Sequence, residues 1–281
     1  MILRRNILPT KITDIACFFL IATFIPITFF FEVLVVIPEF HAEGSSIYIL
    51  TWCAGLFLLF NILSNMFACM LVDTSIKHAI LKPPTNAEHL KYWSLCSECE
   101  TVVPPRSWHC HSCKTCILKR DHHCLFTGYC IGHHNHRYFI YFLIYLVIGS
   151  AYTTCYNSVY FWWLHADTYA NASTILKIIL PMFMLTFNYS WANFYLLIYV
   201  LNIITFAFSL VLLIYHIPSI LKGAVAYERT SPKYDLGWKQ NLEMVLGKRM
   251  HLVWISPFIY SPLPHDGIHW ETILQQSVKN R

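Results

Sequence analysis

Four long apolar runs, separated by polar stretches of unequal length and charge, divide the 281-residue chain. The first extends over 12–37 behind a basic lead of Arg4, Arg5 and Lys11, and is interrupted by Pro26 and Glu32. The second covers 47–72, the third 138–164 and the fourth 194–217. Each supplies the roughly 20 mostly apolar residues that a helix needs to cross the ~30 Å hydrocarbon core of a bilayer. The pattern predicts an all-α polytopic membrane protein with four transmembrane helices. A signal peptide has a shorter apolar core and small residues at a cleavage site, so the first run is expected to be retained as a helix. Asp14 and Glu32 lie near its ends, where an interfacial position is the expectation and a buried functional acid the alternative.

The connecting segments set the orientation. Residues 38–44 and 165–173 hold no Lys or Arg, whereas 73–137 carries Lys77, Lys82, Lys91, Arg106, Lys114, Lys119, Arg120 and Arg137. The tail, 218–281, adds Lys222, Arg229, Lys233, Lys239, Lys248 and Arg249. The positive-inside rule therefore places 1–11, 73–137 and 218–281 in the cytosol and the loops 38–46 and 165–193 in the lumen. An even number of spans makes 174–192 a lumenal interfacial or re-entrant segment, and it makes the sequon Asn171-Ala172-Ser173 usable for glycosylation. Pro83-Pro84 and Pro104-Pro105 rule out a long helix in the cytosolic loop, which is expected to be irregular. In the tail, 234–247 reads as a short amphipathic helix closed by Gly247, and the remainder, with Pro257, Pro262 and Pro264, as extended chain.

Composition agrees: 56% hydrophobic and 12% charged residues exclude an ordinary soluble domain. The net charge of +5 is spread over loops and forms no aromatic-interleaved basic patch, which excludes nucleic acid as a partner. The cysteines change the picture more. Of 11, seven crowd into 96–130 with four histidines, while Cys17, Cys53, Cys69 and Cys155 are scattered in apolar runs and are expected to be small core residues. A cytosolic setting argues against disulfides. Cys-x2-Cys pairs are metal knuckles, and two closed tetrahedral zinc sites would use eight of the eleven candidate ligands. Side chains of the neighbours His109 and Cys110 diverge, as do those of His122 and His123, which favours two interleaved centres. A thiol left without metal in Asp121-His122-His123-Cys124 has the partners of an activated nucleophile. Spacing alone, however, describes a structural zinc module more often than an enzyme.

The order Cys96-x2-Cys99-x9-His109-Cys110-x2-Cys113-x2-Cys116-x4-Asp121-His122-His123-Cys124-x5-Cys130-x4-Asn135-x3-Phe139 resembles, position by position, the cysteine-rich domain of the DHHC protein S-acyltransferases, here with its core at 96–139 between spans 2 and 3. The resemblance implies two structural Zn2+ ions, one held by Cys96, Cys99, His109 and Cys116 and the other by Cys110, Cys113, His123 and Cys130. It implies Cys124, His122 and Asp121 as catalytic residues and Asn241 as the asparagine of a carboxy-terminal structural motif. His111 is then left as a solvated or outer-shell histidine. The implied reaction moves a long-chain acyl group, typically palmitoyl, from acyl-CoA through Cys124 to cysteines of cytosolic or membrane proteins, with the acyl chain kept out of water among the spans. Lys119 and Arg120 either meet CoA phosphates or are ordinary loop charges. An endomembrane location, Golgi or ER, is expected. Three departures stand out. Leu125-Phe126 replaces the usual Pro-Trp, Asp73-Thr74-Ser75 replaces Asp-Pro-Gly, and the expected Thr-Thr-x-Glu is not recoverable, Glu228-Arg229-Thr230-Ser231 holding similar residues in another order. The competing reading is a catalytically silent, zinc-stapled membrane scaffold of the same fold.

Overall fold

Four helices, α1 (Ile12–Phe40), α2 (Ser46–Leu71), α3 (His136–Leu164) and α4 (Trp191–Leu221), are long and apolar enough to cross a membrane. They belong to a computed structural model that describes residues 2–5, 7–180, 190–231, 233–271 and 273–274. Helices α1 and α3 each loosen into a π-helical turn, at Glu32–Val36 and Tyr160–Leu164. Of the segment 174–192, the first residues lie in a two-turn helix, Ala172–Ile179, whose N-cap Asn171 accepts a hydrogen bond from the Thr174 N–H. Residues 181–189 are outside the described set, and with them the expected interfacial or re-entrant passage.

The chain forms two compact units. One contains Ala22–Ile62 and Leu143–Leu212. Its core is aromatic: Phe31, Tyr160, Phe161, Tyr169 and Tyr199 cluster with Leu196 and Ile198, and the Phe161 and Tyr199 rings stack at 4.9 Å. Asn202 donates to the Ser150 carbonyl and the Thr154 hydroxyl, which satisfies a polar side chain that apolar surroundings would otherwise penalise. Glu32 is buried in this unit. Cys53 and Cys155 also depart from the expectation, being exposed on α2 and α3.

The other unit contains Met1–Ile21, Leu63–Phe142 and Leu213–Arg281. Its centre is three antiparallel hairpins with three-residue strands: β1 (Ser94–Cys96) with β2 (Thr101–Val103), β3 (Trp108–Cys110) with β4 (Thr115–Ile117), and β5 (His122–Cys124) with β6 (Tyr129–Ile131). The amino-terminal lead straps the third hairpin. Arg4 lies over the Tyr129 ring at 3.9 Å, the Tyr129 hydroxyl donates to the Leu8 carbonyl, and Pro9 packs on Gly128. Gly128 has φ +65°, and a Cβ there would stand 2.1 Å from Pro9 Cγ, so the contact with Pro9 requires glycine.

The tail is not extended. Trp270 is fully buried and packs edge-on against Tyr234, with Arg106 over both rings at 4.4 and 4.3 Å. The tail helix α5 (Trp238–Leu246) buries Asn241, Met244 and Val245 and ends at Gly247. The Asn241 amide donates to the Leu221 carbonyl at the end of α4 and to Asp235, and its oxygen accepts from the Leu236 N–H. One buried side chain thus closes a helix end and a turn together. Gly223, at φ +65° and backed by the Tyr234 carbonyl and the Asn241 side chain, is the turn that makes room for it. Asn241→Ala should cost on the order of 2 kcal/mol through the polar groups it strands. The check is the apparent melting temperature in detergent, which an unimportant Asn241 would leave unchanged.

Candidate metal centres and active site

The three hairpins are copies of one design. Cys96, Cys110 and Cys124 end the first strand of each, recurring every 14 residues (96, 110, 124), and they pair across the ladder with Thr101, Thr115 and Tyr129. Four residues link the strands each time, and the last of them is left-handed: Glu100 (φ 49°), Lys114 (φ 50°) and Gly128 (φ 65°). Such a residue closes a short hairpin loop, and it folds the backbone into a knuckle on which positions 1 and 4 face the same point. Those positions are Cys96 and Cys99, Cys110 and Cys113, then Cys124 and Thr127. The third knuckle therefore lacks its second thiol.

A second repeat interlocks with the first. His109 opposes Cys116 across β3 and β4, and His123 opposes Cys130 across β5 and β6. Each of these cross-strand pairs faces the knuckle of the preceding hairpin. Cys96, Cys99, His109 and Cys116 bring their ligand atoms within 4.8 Å of one another, as do Cys110, Cys113, His123 and Cys130. His109 Nδ1 lies 3.7 and 3.3 Å from the sulfurs of Cys96 and Cys99, and His123 Nδ1 lies 3.7, 3.5 and 3.8 Å from those of Cys110, Cys113 and Cys130. Edges near 3.5 Å are what four ligands at about 2.0–2.3 Å from one tetrahedral ion produce. Soft thiolates with one imidazole suit zinc, and both quartets are closed. Asp14 adds an outer partner: it is 2% exposed and its Oδ2 stands 3.1 Å from His123 Nε2, which directs Nδ1 to the sulfurs. Asp14 is thus a buried acid, because an imidazole that uses Nδ1 as a ligand presents an N–H that a buried carboxylate satisfies.

Alternation along β5 separates the two kinds of chemistry. His123 points to the quartet, while His122 and Cys124, two residues apart, share the opposite face. Cys124 is 6% exposed and belongs to neither quartet. His122 Nδ1 is 2.7 Å from Asp121 Oδ2, so the imidazole donates there and keeps Nε2 for the thiol. Burial raises the Cys124 thiol, but the bond and charge of His122 and the bonds from Thr127 bring it below the ordinary thiol value. Burial likewise disfavours a charged His122, yet its bonds to Asp121 and Cys124 prevail and lift it to about 9. For Asp121, burial is outweighed by the His122 bond and the surrounding imidazoles, and the carboxyl stays below the usual carboxylate range. The set is arranged as a thiolate and an imidazolium oriented by a carboxylate.

Asp121 is held in turn. Its Oδ1 accepts from the Ala226 N–H at 2.8 Å, in a turn fixed by Glu228, whose carboxylate pairs with Arg106. Glu228 thus supplies the acid that the sequence reading could not place, with Val225 and Ala226 where threonines were expected and the main chain reaching Asp121. Lys119 is buried beside Arg106. Burial and that charge lower it to about 7, and its ammonium lies 5.8 Å from the Trp270 ring centre, so it is no surface loop charge. Arg120 donates to the His109 carbonyl. His111 is exposed, with its ring 5.2 Å from that of His109. Leu125 is 49% exposed next to the thiol. No role was expected for Thr127, His136 or His216, and Asp14 was expected only near a helix end. The 14-residue period was a signal for Thr127; the others come from segments remote in sequence.

Residues 89–233 match the sequence profile of a family described as DHHC palmitoyltransferase. A rat protein (Rattus norvegicus) named probable palmitoyltransferase ZDHHC24 is 36% identical over 227 residues, covering 76% of this chain and 75% of its own length. The human protein of that name (Homo sapiens) is 34% identical over 229 residues, 77% and 76% of the two chains. Palmitoyltransferase ZDHHC16 of Mus musculus is 28% identical over 208 residues, 67% and 56% of the two.

The outer-shell contact gives a separable expectation. Asp14→Asn should weaken metal affinity by about 10–100-fold at the quartet of His123 alone. Chelator competition followed by metal counting should show one of two ions released early. Release of both together, or of neither, would contradict the assignment.

Proposed function

The chain belongs to the DHHC palmitoyltransferase family and is a protein S-palmitoyltransferase of the membrane, and from that premise we propose how its residues carry the reaction. The observation that carries the proposal is the third knuckle: a cysteine in the hairpin position of a zinc ligand, with no quartet to join and with His122 and Asp121 beside it. Cys124 is the nucleophile, His122 the general base and acid, and Asp121 the group that orients and stabilises the imidazolium. The Cys124 thiolate attacks the acyl-CoA thioester, the CoA thiolate leaves, and the His122 imidazolium protonates it. A protein cysteine then gives its proton to His122 and attacks the acyl-Cys124 thioester, so Cys124 returns as thiolate and the product is the S-acylated protein. Two half-reactions through a covalent intermediate imply ping-pong kinetics.

Cys96, Cys99, His109 and Cys116 would hold one Zn2+, and Cys110, Cys113, His123 and Cys130 the other. With four protein ligands each, the ions serve to keep the hairpins folded, since metal affinity in such a module is folding free energy. Asn241 fixes the end of α4. The positive-inside pattern supports cytosolic termini and a cytosolic zinc module, where acyl-CoA and substrate thiols are available. An endomembrane site, Golgi or ER, goes with that orientation.

Incubation of the detergent-solubilised protein with labelled palmitoyl-CoA should give hydroxylamine-sensitive label on the wild type and none on Cys124→Ser. Equal labelling of the two would remove Cys124 from the role. Cys116→Ala should instead lose metal and folded protein together. The pH dependence follows from the shifted groups. A thiol lowered from its ordinary value is a thiolate above that lowered value, and a His122 lifted to about 9 stays protonated up to it. The acylation rate should therefore rise at a pH below the ~8.5 of a free cysteine and hold until about 9. Asp121→Asn should move that rise to higher pH and slow acylation by roughly 100-fold or more. A midpoint at the free-cysteine value in the wild type would count against the ion pair.

A further inference from the structure

Asp121 has more histidine around it than the acyl transfer uses. His216 near the end of α4 and His136 at the start of α3 bring ring nitrogens together with its carboxylate, all within 4.8 Å of one another and all buried. We infer that Asp121, His136 and His216 form a third metal site, for a divalent transition ion such as Zn2+, whose occupation switches the transferase off.

Three features of the geometry carry this. His216 Nδ1 stands 3.5 Å from Asp121 Oδ2, too long for a good hydrogen bond. It is close to the ~3.3 Å edge between two N or O ligands about 2.0–2.1 Å from a tetrahedral ion, and it falls within the 3.3–3.8 Å spread of the edges in the two cysteine quartets. Next, His136 is 1% exposed, and neither of its ring nitrogens has a hydrogen-bond partner among the described residues. A buried imidazole with both nitrogens unsatisfied is costly, and a bound cation would use one of them. Finally, the donor set is two imidazoles and a carboxylate. That favours Zn2+, Cu2+ or Ni2+ over Mg2+ or Ca2+, which take oxygen ligands, and leaves a fourth position for water.

Inhibition follows from which oxygen is shared. The atom that His216 approaches, Oδ2, is the one that accepts the His122 Nδ1 hydrogen. A cation there draws on the lone pairs that orient His122 and places positive charge beside an imidazole that must itself become positive. The Asp121 Oδ1 contact to the Ala226 N–H does not compete. The inhibitory part rests on the roles proposed above for His122 and Asp121; the binding part does not.

The experiment uses the tag-free full chain in lipid nanodiscs, dialysed against buffered free Zn2+ and counted by mass spectrometry. The wild type should keep two ions at low free zinc and acquire a third as free zinc rises. His136→Gln and His216→Gln, on different helices, should each keep two and bind the third at least ~10–100-fold more weakly, the loss that removal of even an outer-shell partner produces. Cys124→Ser should bind all three. Saturation of the wild type at two ions, or a third ion held equally well by both histidine variants, overturns the site. In parallel, zinc should block hydroxylamine-sensitive labelling of the wild type over the range in which the third ion binds, and the blocking range should move upward in the variants. The same blocking range in all three overturns the regulatory role. A wild type that never labels would refute the acyl-enzyme mechanism instead, while the ion count still decides whether the site exists.

Discussion

Two-stranded ribbons of three-residue strands do not hold themselves together in water. What holds these three is the sharing of ligand sets between consecutive hairpins: each knuckle supplies two sulfurs, and the next hairpin supplies a cross-strand histidine and cysteine. With the zinc proposed for each set, every hairpin is bound to its neighbour, and a run of three leaves one knuckle at the end with no successor. The free thiol is a consequence of that arithmetic. Cys124 occupies a ligand position in a repeat that has ended, and Thr127 stands where a second thiol would have completed a knuckle.

The end of the repeat is also where the rest of the unit converges. The amino-terminal strap supplies Asp14 to His123 and Pro9 to Gly128. The start of α3 supplies Phe139, edge-on to His122 at 4.8 Å, and the end of α4 supplies His216, whose ring lies 5.2 Å from that of His122. The turn after α4 supplies the Ala226 amide to Asp121. A charged pair that is largely withdrawn from water needs several fixed dipoles around it, since an unpaired buried charge costs far more than a paired one gains. Segments with no chemistry of their own are therefore constrained by Asp121, and the Arg106–Glu228 pair, itself roofed by Tyr234 and Trp270, secures the turn from behind.

The places where reading by residue type fell short share a cause. A hydropathy plot gives Asp14 and Glu32 a depth along one helix and no neighbours, so it could not decide that both are buried. Lys119 looks like loop charge beside Arg120, yet the turn after β4, left-handed at Lys119, buries one and leaves the other to donate to a carbonyl. The Thr-Thr-x-Glu element was sought by its side chains, whereas its place is kept by an acid and a main-chain amide. The proline-containing tail reads as extended because the pattern shows no period, but one buried tryptophan anchors it.

The amino-acid sequence by itself determined the four spans, because apolar length is a local property, and their proposed orientation, because charge between spans is too. It determined that two metal knuckles and an odd cysteine are present, because knuckle spacing is local and the 14-residue period records the hairpin register in one dimension, whereas the division into two ligand sets was what the family resemblance implied. Tertiary structure decided what stands around them. Asp14, His136, His216 and Glu228 reach the hairpin region from segments up to 122 residues away, as Glu228 does to Arg106. No periodicity encodes such a meeting, because each contact depends on how helices and turns pack rather than on any spacing along the chain.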